Sequence, residues 1–309
     1  ISTEQGLPHN HVRDIEPDAN GNMWVATFGG GMAQINRINK KVTVFSTATR
    51  GLSSNLIWRL LVDQRGRVWA CTDGGGLCLY TPGDDKLEIF RPQAHQPQSI
   101  SDDVLWSIYE DRQHNIWIGG YTGGLNLLPY NAKPFFYLKQ HPISQNTLSD
   151  NSISTFLETQ NGNFWVGTNG GGLNHFDREK QEFKHYQHDP KKSKESLTSN
   201  TVIDLLEDID GNIWVATFGG GLNYFNYKTG KFSTIPLPQL QTEAASKAFI
   251  FDLERDMQQR IWVASLFGGV VVMDMRTGEW KQYLADKNDN LHDLFLGHVE
   301  LNTNHHNHY

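Results

Sequence analysis

The chain has 309 residues, a formal net charge of -7, 29 glycines, 9 tryptophans and only 2 cysteines. The length suffices for a large core and by itself suggests about two domains. The acidic balance argues against nucleic acid, no apolar run reaches the roughly 18–20 residues of a membrane helix, and the cysteine count excludes a disulfide scaffold or multi-cysteine zinc module.

Along the chain, Trp24, Trp69, Trp117, Trp165, Trp214 and Trp262 recur at intervals of 45, 48, 48, 49 and 48 residues. Each sits in a variant of D-x-x-G-x-x-W followed by a small residue and a glycine turn. The six repeats read as 6–50, 51–98, 99–146, 147–195, 196–242 and 243–287. In each, a short apolar run such as Val202–Leu206 reads as a first strand. A turn follows, with Asp208 accepting from backbone amides and Gly211 taking positive φ. His114 and Gln259 stand where other repeats have that glycine. The second strand, Ile213–Thr217 in the fifth repeat, places Trp214 and Ala216 on one face. A third strand follows the Gly-Gly turn, and a fourth ends near Phe45, Phe90, Tyr137, Tyr186, Ile235 or Tyr283. Four short strands per repeat, without helical periodicity, predict an all-β propeller of four-stranded antiparallel blades.

Residues 288–309, from the run Asp289–Asn304 onward, read as the start of a seventh blade, so residues 1–309 read as one domain, a truncated seven-bladed propeller, and not as the two that length alone suggests. The first residues, Ile1–Gln5, carry neither an initiating Met nor a signal peptide, consistent with a mature or excised piece.

Asn10, Asn55, Asp103, Asn151 and Asn200 each precede the Trp by fourteen residues and read as turn formers leading into the first strand. The sixth repeat departs from this, with Lys247 fifteen residues before its Trp. The loops between second and third strands begin with Phe28, Asp73, Tyr121, Asn169, Phe218 and Leu266. Variable tips on a repeated frame are where specificity is placed, so these six are the candidate ligand contacts. Aromatic and amide tips suit sugars or other small polar ligands.

No nucleophile elbow, metalloprotease helix, phosphate loop or dinucleotide fingerprint occurs. The sequence therefore predicts no catalytic residue, metal or cofactor. Asp274–Trp280 echoes quinoprotein propeller repeats but is more simply a hairpin turn, and His305, His306 and His308 read as incidental. If the turn is centred between Gly74 and Gly75, Cys71 and Cys78 face each other across strands and a disulfide is open to them.

The run Asn200–Thr217 and its counterparts, with their Trp, Ala or Gly, Thr and Gly-Gly-Leu core, resemble the two-component regulator propeller repeat. The resemblance implies the periplasmic or extracytoplasmic sensor part of a bacterial inner-membrane receptor. It implies neighbouring propeller or receptor domains and a receptor dimer as partners, and a histidine kinase or diguanylate cyclase as output elsewhere in the protein. Many members of the family sense oligosaccharides. It assigns no nucleic-acid or membrane contact to this segment. Two other readings stand beside it. One is a propeller lyase or quinoprotein, for which His9 and His11 lie on a suitable loop but lack a partner. The other is a protein-interaction scaffold.

Overall fold

The computed structural model describes residues 2–96, 98–131, 135–144, 146–192, 195–237, 249–265 and 269–283. The described residues form six four-stranded β-sheets whose strands lie in strict chain order. The first blade comprises Val12–Pro17, Met23–Thr27, Gly31–Ile35 and Val42–Phe45. The second comprises Ile57–Val62, Val68–Thr72, Leu77–Thr81 and Lys86–Phe90. The third comprises Leu105–Glu110, Ile116–Gly120, Leu125–Leu128 and the short Phe136–Leu138. The remaining blades are Ile153–Glu158 to Glu182–Tyr186, Val202–Glu207 to Lys231–Ile235, and Ile250–Arg255 to Trp280–Tyr283. No helix among the described residues is long and apolar enough to cross a membrane. The expected seventh-blade segment, 288–309, lies outside the described residues, as do Lys247, Leu266 and the terminal histidines.

The chain divides into two compact units, residues 1–156 with 176–184, and residues 157–175 with 185–309. Within the first unit, the first strands of the first three blades lie against one another in succession. Within the second, the first strands of the fifth and sixth blades do the same.

The periodic Trp and the small residue two later enter the same interblade core. Trp24 and Ala26 pack with Met32 and Phe45 against Ile57, Leu60, Val68 and Ala70 of the second blade. Trp214 and Ala216 pack with Leu222 against Ile250, Leu253 and Val263 of the sixth. The small residue leaves room for the next sheet beside the indole, and each buried ring of this kind contributes roughly 1.5–3 kcal/mol.

The Asp turn is a clamp with more partners than the sequence reading gave it. Asp63 Oδ1 accepts from the amides of Arg65 and Arg67, at 3.0 and 2.9 Å. Its Oδ2 also accepts from the Trp69 indole at 2.8 Å. Asp111, Asp208 and Asp256 hold Trp117, Trp214 and Trp262 in the same way, at 2.7, 3.3 and 2.9 Å. Gly21, Gly66, Gly162 and Gly211 take positive φ at the turn, and His114 and Gln259 adopt it too, at 63° and 64°.

The cysteine expectation is corrected. The hairpin is centred on Gly74, so Cys71 pairs with Leu77, and Cys78 with Ala70. That one-residue shift sends the two side chains to opposite faces of the sheet. Cys78 enters the core between the first and second blades, and Cys71 the core between the second and third. Both are free thiols.

Candidate functional site

The loop tips are fixed by a repeated set of backbone bonds. Phe28, Asp73, Tyr121 and Phe218 each donate an amide hydrogen to their own blade's first strand or its lead-in, at 2.9 Å to His11, Leu56, Val104 and Thr201 carbonyls. The next blade's lead-in closes the loop from the other side. Gly29 and Gly31 both donate to the Asn55 carbonyl, and Gly170 and Gly172 to that of Asn200. Side chains at this position cap the loop they leave: Asn55 Oδ1 accepts from Thr47, and Asn200 Oδ1 from His188. Asn10 and Asn151 do the same for the Thr3 and Gln140 amides, whereas Asp103 Oδ1 is buried without a partner. In the first four blades the second glycine of the pair is required by space as well as by φ. A Cβ on Gly31, Gly76, Gly124 or Gly172 would fall 2.2–2.4 Å from a fourth-strand carbonyl. The Tyr121 loop is tightened further by Asp102, whose carboxylate accepts from the Thr122 and Gly123 amides at 2.7 and 2.8 Å.

The first strands of the first, second, third, fifth and sixth blades carry a bulge directly beside these tips. The pairing skips one residue between Val12 and Asp14, and again between Ile57 and Arg59. The third, fifth and sixth blades repeat the irregularity around Trp106, Ile203 and Phe251. A bulge leaves the extra residue unpaired and re-aims its side chain. Arg13, Trp58 and Trp106 are those residues in the first unit.

Together they turn two of the candidate tips into one track. His11 meets Phe28 at 5.8 Å between ring centroids, and Phe28 meets Trp58 at 5.0 Å. Trp58 meets Trp106 at 5.9 Å, and Trp106 meets Tyr121 at 4.6 Å. The Arg13 guanidinium lies 4.4 Å from the Trp58 centroid and 5.0 Å from that of Phe28. At the open end, Tyr121 is 44% exposed. At the other end His9 reaches over Gly29, and its Nδ1 accepts from the His11 amide at 3.0 Å. Burial, then the charges of Arg13 and His9, hold the His11 imidazole below its ordinary pKa. Burial and Arg59 likewise lower that of Arg13, which stays a cation at neutral pH.

The other candidates are placed differently. Asp73 is half-buried at the tip of the second blade. Phe218 belongs to the second unit, 46% exposed, with Phe249 at 4.4 Å and Phe251 at 6.3 Å. Asn169, also in that unit, bridges to Thr201 through the backbone. Leu266 lies outside the described residues. Trp58, Trp106 and Arg13 were missed by the sequence reading. Their signal is a fixed position, three residues after the lead-in Asn or Asp, and two of the three tryptophans outside the repeat motif occupy it. For the lyase reading, no three His, Cys, Asp or Glu side chains gather into a metal site among the described residues.

Five stretches, residues 6–29, 51–74, 99–122, 147–170 and 196–219, match the two component regulator propeller family. Each matched stretch runs from the lead-in through the Trp strand to just past the loop tip. The sixth repeat, with its changes at Lys247 and Gln259, lies outside the match but still forms a four-stranded sheet. No curated protein matches the sequence. Among solved structures, the chain resembles the extracellular domain of BT3049 from B. thetaiotaomicron, described as a hybrid two component system. The TM-score is 0.76 at 21% identity, over 93% of this chain and 36% of that one. BT4673 from the same organism, described as a one component system, gives 0.66 at 19% identity, over 88% and 35% of the chains. The chain thus spans about a third of the length of these two structures. Virginiamycin B lyase from Staphylococcus aureus gives 0.63 at 14% identity, over 88% and 84%. At such identities the likeness is one of fold.

Proposed function

We propose that this array of two-component regulator propeller repeats is the extracytoplasmic ligand-sensing part of a bacterial membrane receptor, and that its ligand is a saccharide. The observation that carries the reading is the aromatic track from Phe28 through Trp58 and Trp106 to Tyr121. Sugar rings present apolar C–H faces to aromatic planes and hydroxyls to neighbouring polar groups, and a ladder of rings beside variable loop tips offers both. The repeat family and the fold shared with extracellular domains of two component systems support the sensor role. Output would reside in other domains of the same protein, a histidine kinase or a diguanylate cyclase. Neighbouring receptor domains or a second receptor copy would be repositioned when ligand binds, to the extent that the ligand favours one arrangement over the other.

A thermal-shift screen of the protein against neutral and acidic oligosaccharides tests this reading. The expected result is a raised melting temperature with at least one glycan class, abolished in Trp106→Ala. A panel without any shift, or a shift that Trp106→Ala leaves intact, refutes it.

A further inference from the structure

We propose that the first-blade end of this track is an anion subsite, so that the saccharide sensed carries a carboxylate or sulfate group. The inference rests on the reading of the track as a saccharide platform. Arg13 occupies the bulge position that Trp58, Trp106, Ile203 and Phe251 hold in the second, third, fifth and sixth blades, and is the one charged residue among them. Its guanidinium sits against both Phe28 and Trp58, 5.0 and 4.4 Å from their ring centroids, and among the described residues it has no ion pair. Its Nε is buried without a hydrogen-bond partner. The nearby carboxylate of Asp14 is engaged elsewhere, with the Leu60 amide at 2.7 Å and Arg59 at 3.6 Å.

A half-buried cation without a counter-ion is costly, and such groups in proteins are normally paired. The two ring contacts hold the guanidinium in place, and its planar fork of donors suits paired hydrogen bonds with an oxyanion, which is why arginine rather than lysine suits such a place. His9 and His11 lie at the same end and add donors without adding a competing carboxylate. A saccharide chain stacked on Trp58 and Trp106 would then direct its acidic substituent toward the first blade.

The test is calorimetric titration with three probes: galactotetraose, its uronic-acid counterpart tetragalacturonate, and a sulfated galactotetraose. The expected result is roughly tenfold tighter binding of an acidic probe than of the neutral one, a preference that salt weakens. Arg13→Gln should abolish the preference, read as the ratio of acidic-probe to neutral-probe affinity, and a cooperative thermal melt shows that the variant folds. Arg13→Lys should restore only part of it. Comparing the two acidic arms separates carboxylate from sulfate. Equal affinity for neutral and acidic probes, or a preference that survives Arg13→Gln, overturns the anion subsite while the saccharide reading stands. Failure of all three probes to bind overturns the anion subsite for this ligand class and leaves the broader glycan screen to decide the saccharide reading.

Discussion

The fourth blade lacks the clamp that its neighbours have, and Thr159→Asp should supply it. Four tryptophans bond their indole N–H to the Asp six residues earlier, at 2.7–3.3 Å. In the fourth blade that position is Thr159, and the buried Trp165 indole N–H has no partner. The Thr159 hydroxyl instead lies 2.6 Å from Asn161 Oδ1 and 3.1 Å from the Asn163 carbonyl. A carboxylate there would take the indole hydrogen and, as at Asp208, the amides two and four residues on. A hydrogen bond to a charged acceptor contributes about 1.5–3 kcal/mol, and an orphaned buried donor costs about 1–3 kcal/mol. Against this stand the desolvation of a carboxylate at a site 2% exposed and loss of the hydroxyl's own bonds. Glu158 is the adjacent residue, but Glu110 and Glu207 precede Asp111 and Asp208 in the same way. The balance is a gain of about 1 kcal/mol, or roughly 2 °C in melting temperature for a chain of this size. Urea unfolding followed by tryptophan fluorescence measures it. The reciprocal Asp208→Thr should lose about 2 kcal/mol, since the Trp214 indole stays dry while the turn amides regain water. A less stable Thr159→Asp, or an Asp208→Thr as stable as wild type, refutes the clamp.

Three further predictions concern the same frame. Gln259 sits at φ 64° where four repeats have glycine, and its Oε1 is buried and unpartnered; Gln259→Gly should raise stability by about 1 kcal/mol in the same assay. A Cβ on Gly172 would stand 2.3 Å from the Tyr186 carbonyl, whereas one on Gly221, at similar φ, meets nothing within 4 Å; Gly172→Ala should therefore cost about 2–4 kcal/mol and Gly221→Ala about 1 kcal/mol, and equal losses would remove the steric argument. Burial pushes the thiols of Cys71 and Cys78 above their ordinary pKa, so iodoacetamide should label neither in the native protein and both after unfolding, with or without reductant.

The frame was legible because it repeats. Six tryptophans, the small residue two later and the paired glycines fixed the strands, and the fourth strands end within one residue of expectation, as at Leu138 against Tyr137. What stayed hidden depends on single-residue offsets. A period-two reading assumes uninterrupted alternation, so it could not see that Arg13, Trp58 and Trp106 stand at bulges. The same offset misled the cysteine reading, where centring the hairpin on Gly74 separates the two thiols. The indole bond to Asp was also out of reach, since the turn signal concerns backbone amides alone. Of the candidate tips, Phe28 and Tyr121 proved to be parts of one surface only because the bulge tryptophans join them.

The most direct test of the sensor account is calorimetric titration of a glycan found in the thermal-shift screen against Trp58→Ala, Tyr121→Ala and Phe218→Ala. The first two remove rings of the track, and the third removes an aromatic of comparable exposure in the second unit. The account predicts roughly tenfold weaker binding in Trp58→Ala and Tyr121→Ala and wild-type affinity in Phe218→Ala. Undiminished binding in the track variants, or a loss confined to Phe218→Ala, would contradict it.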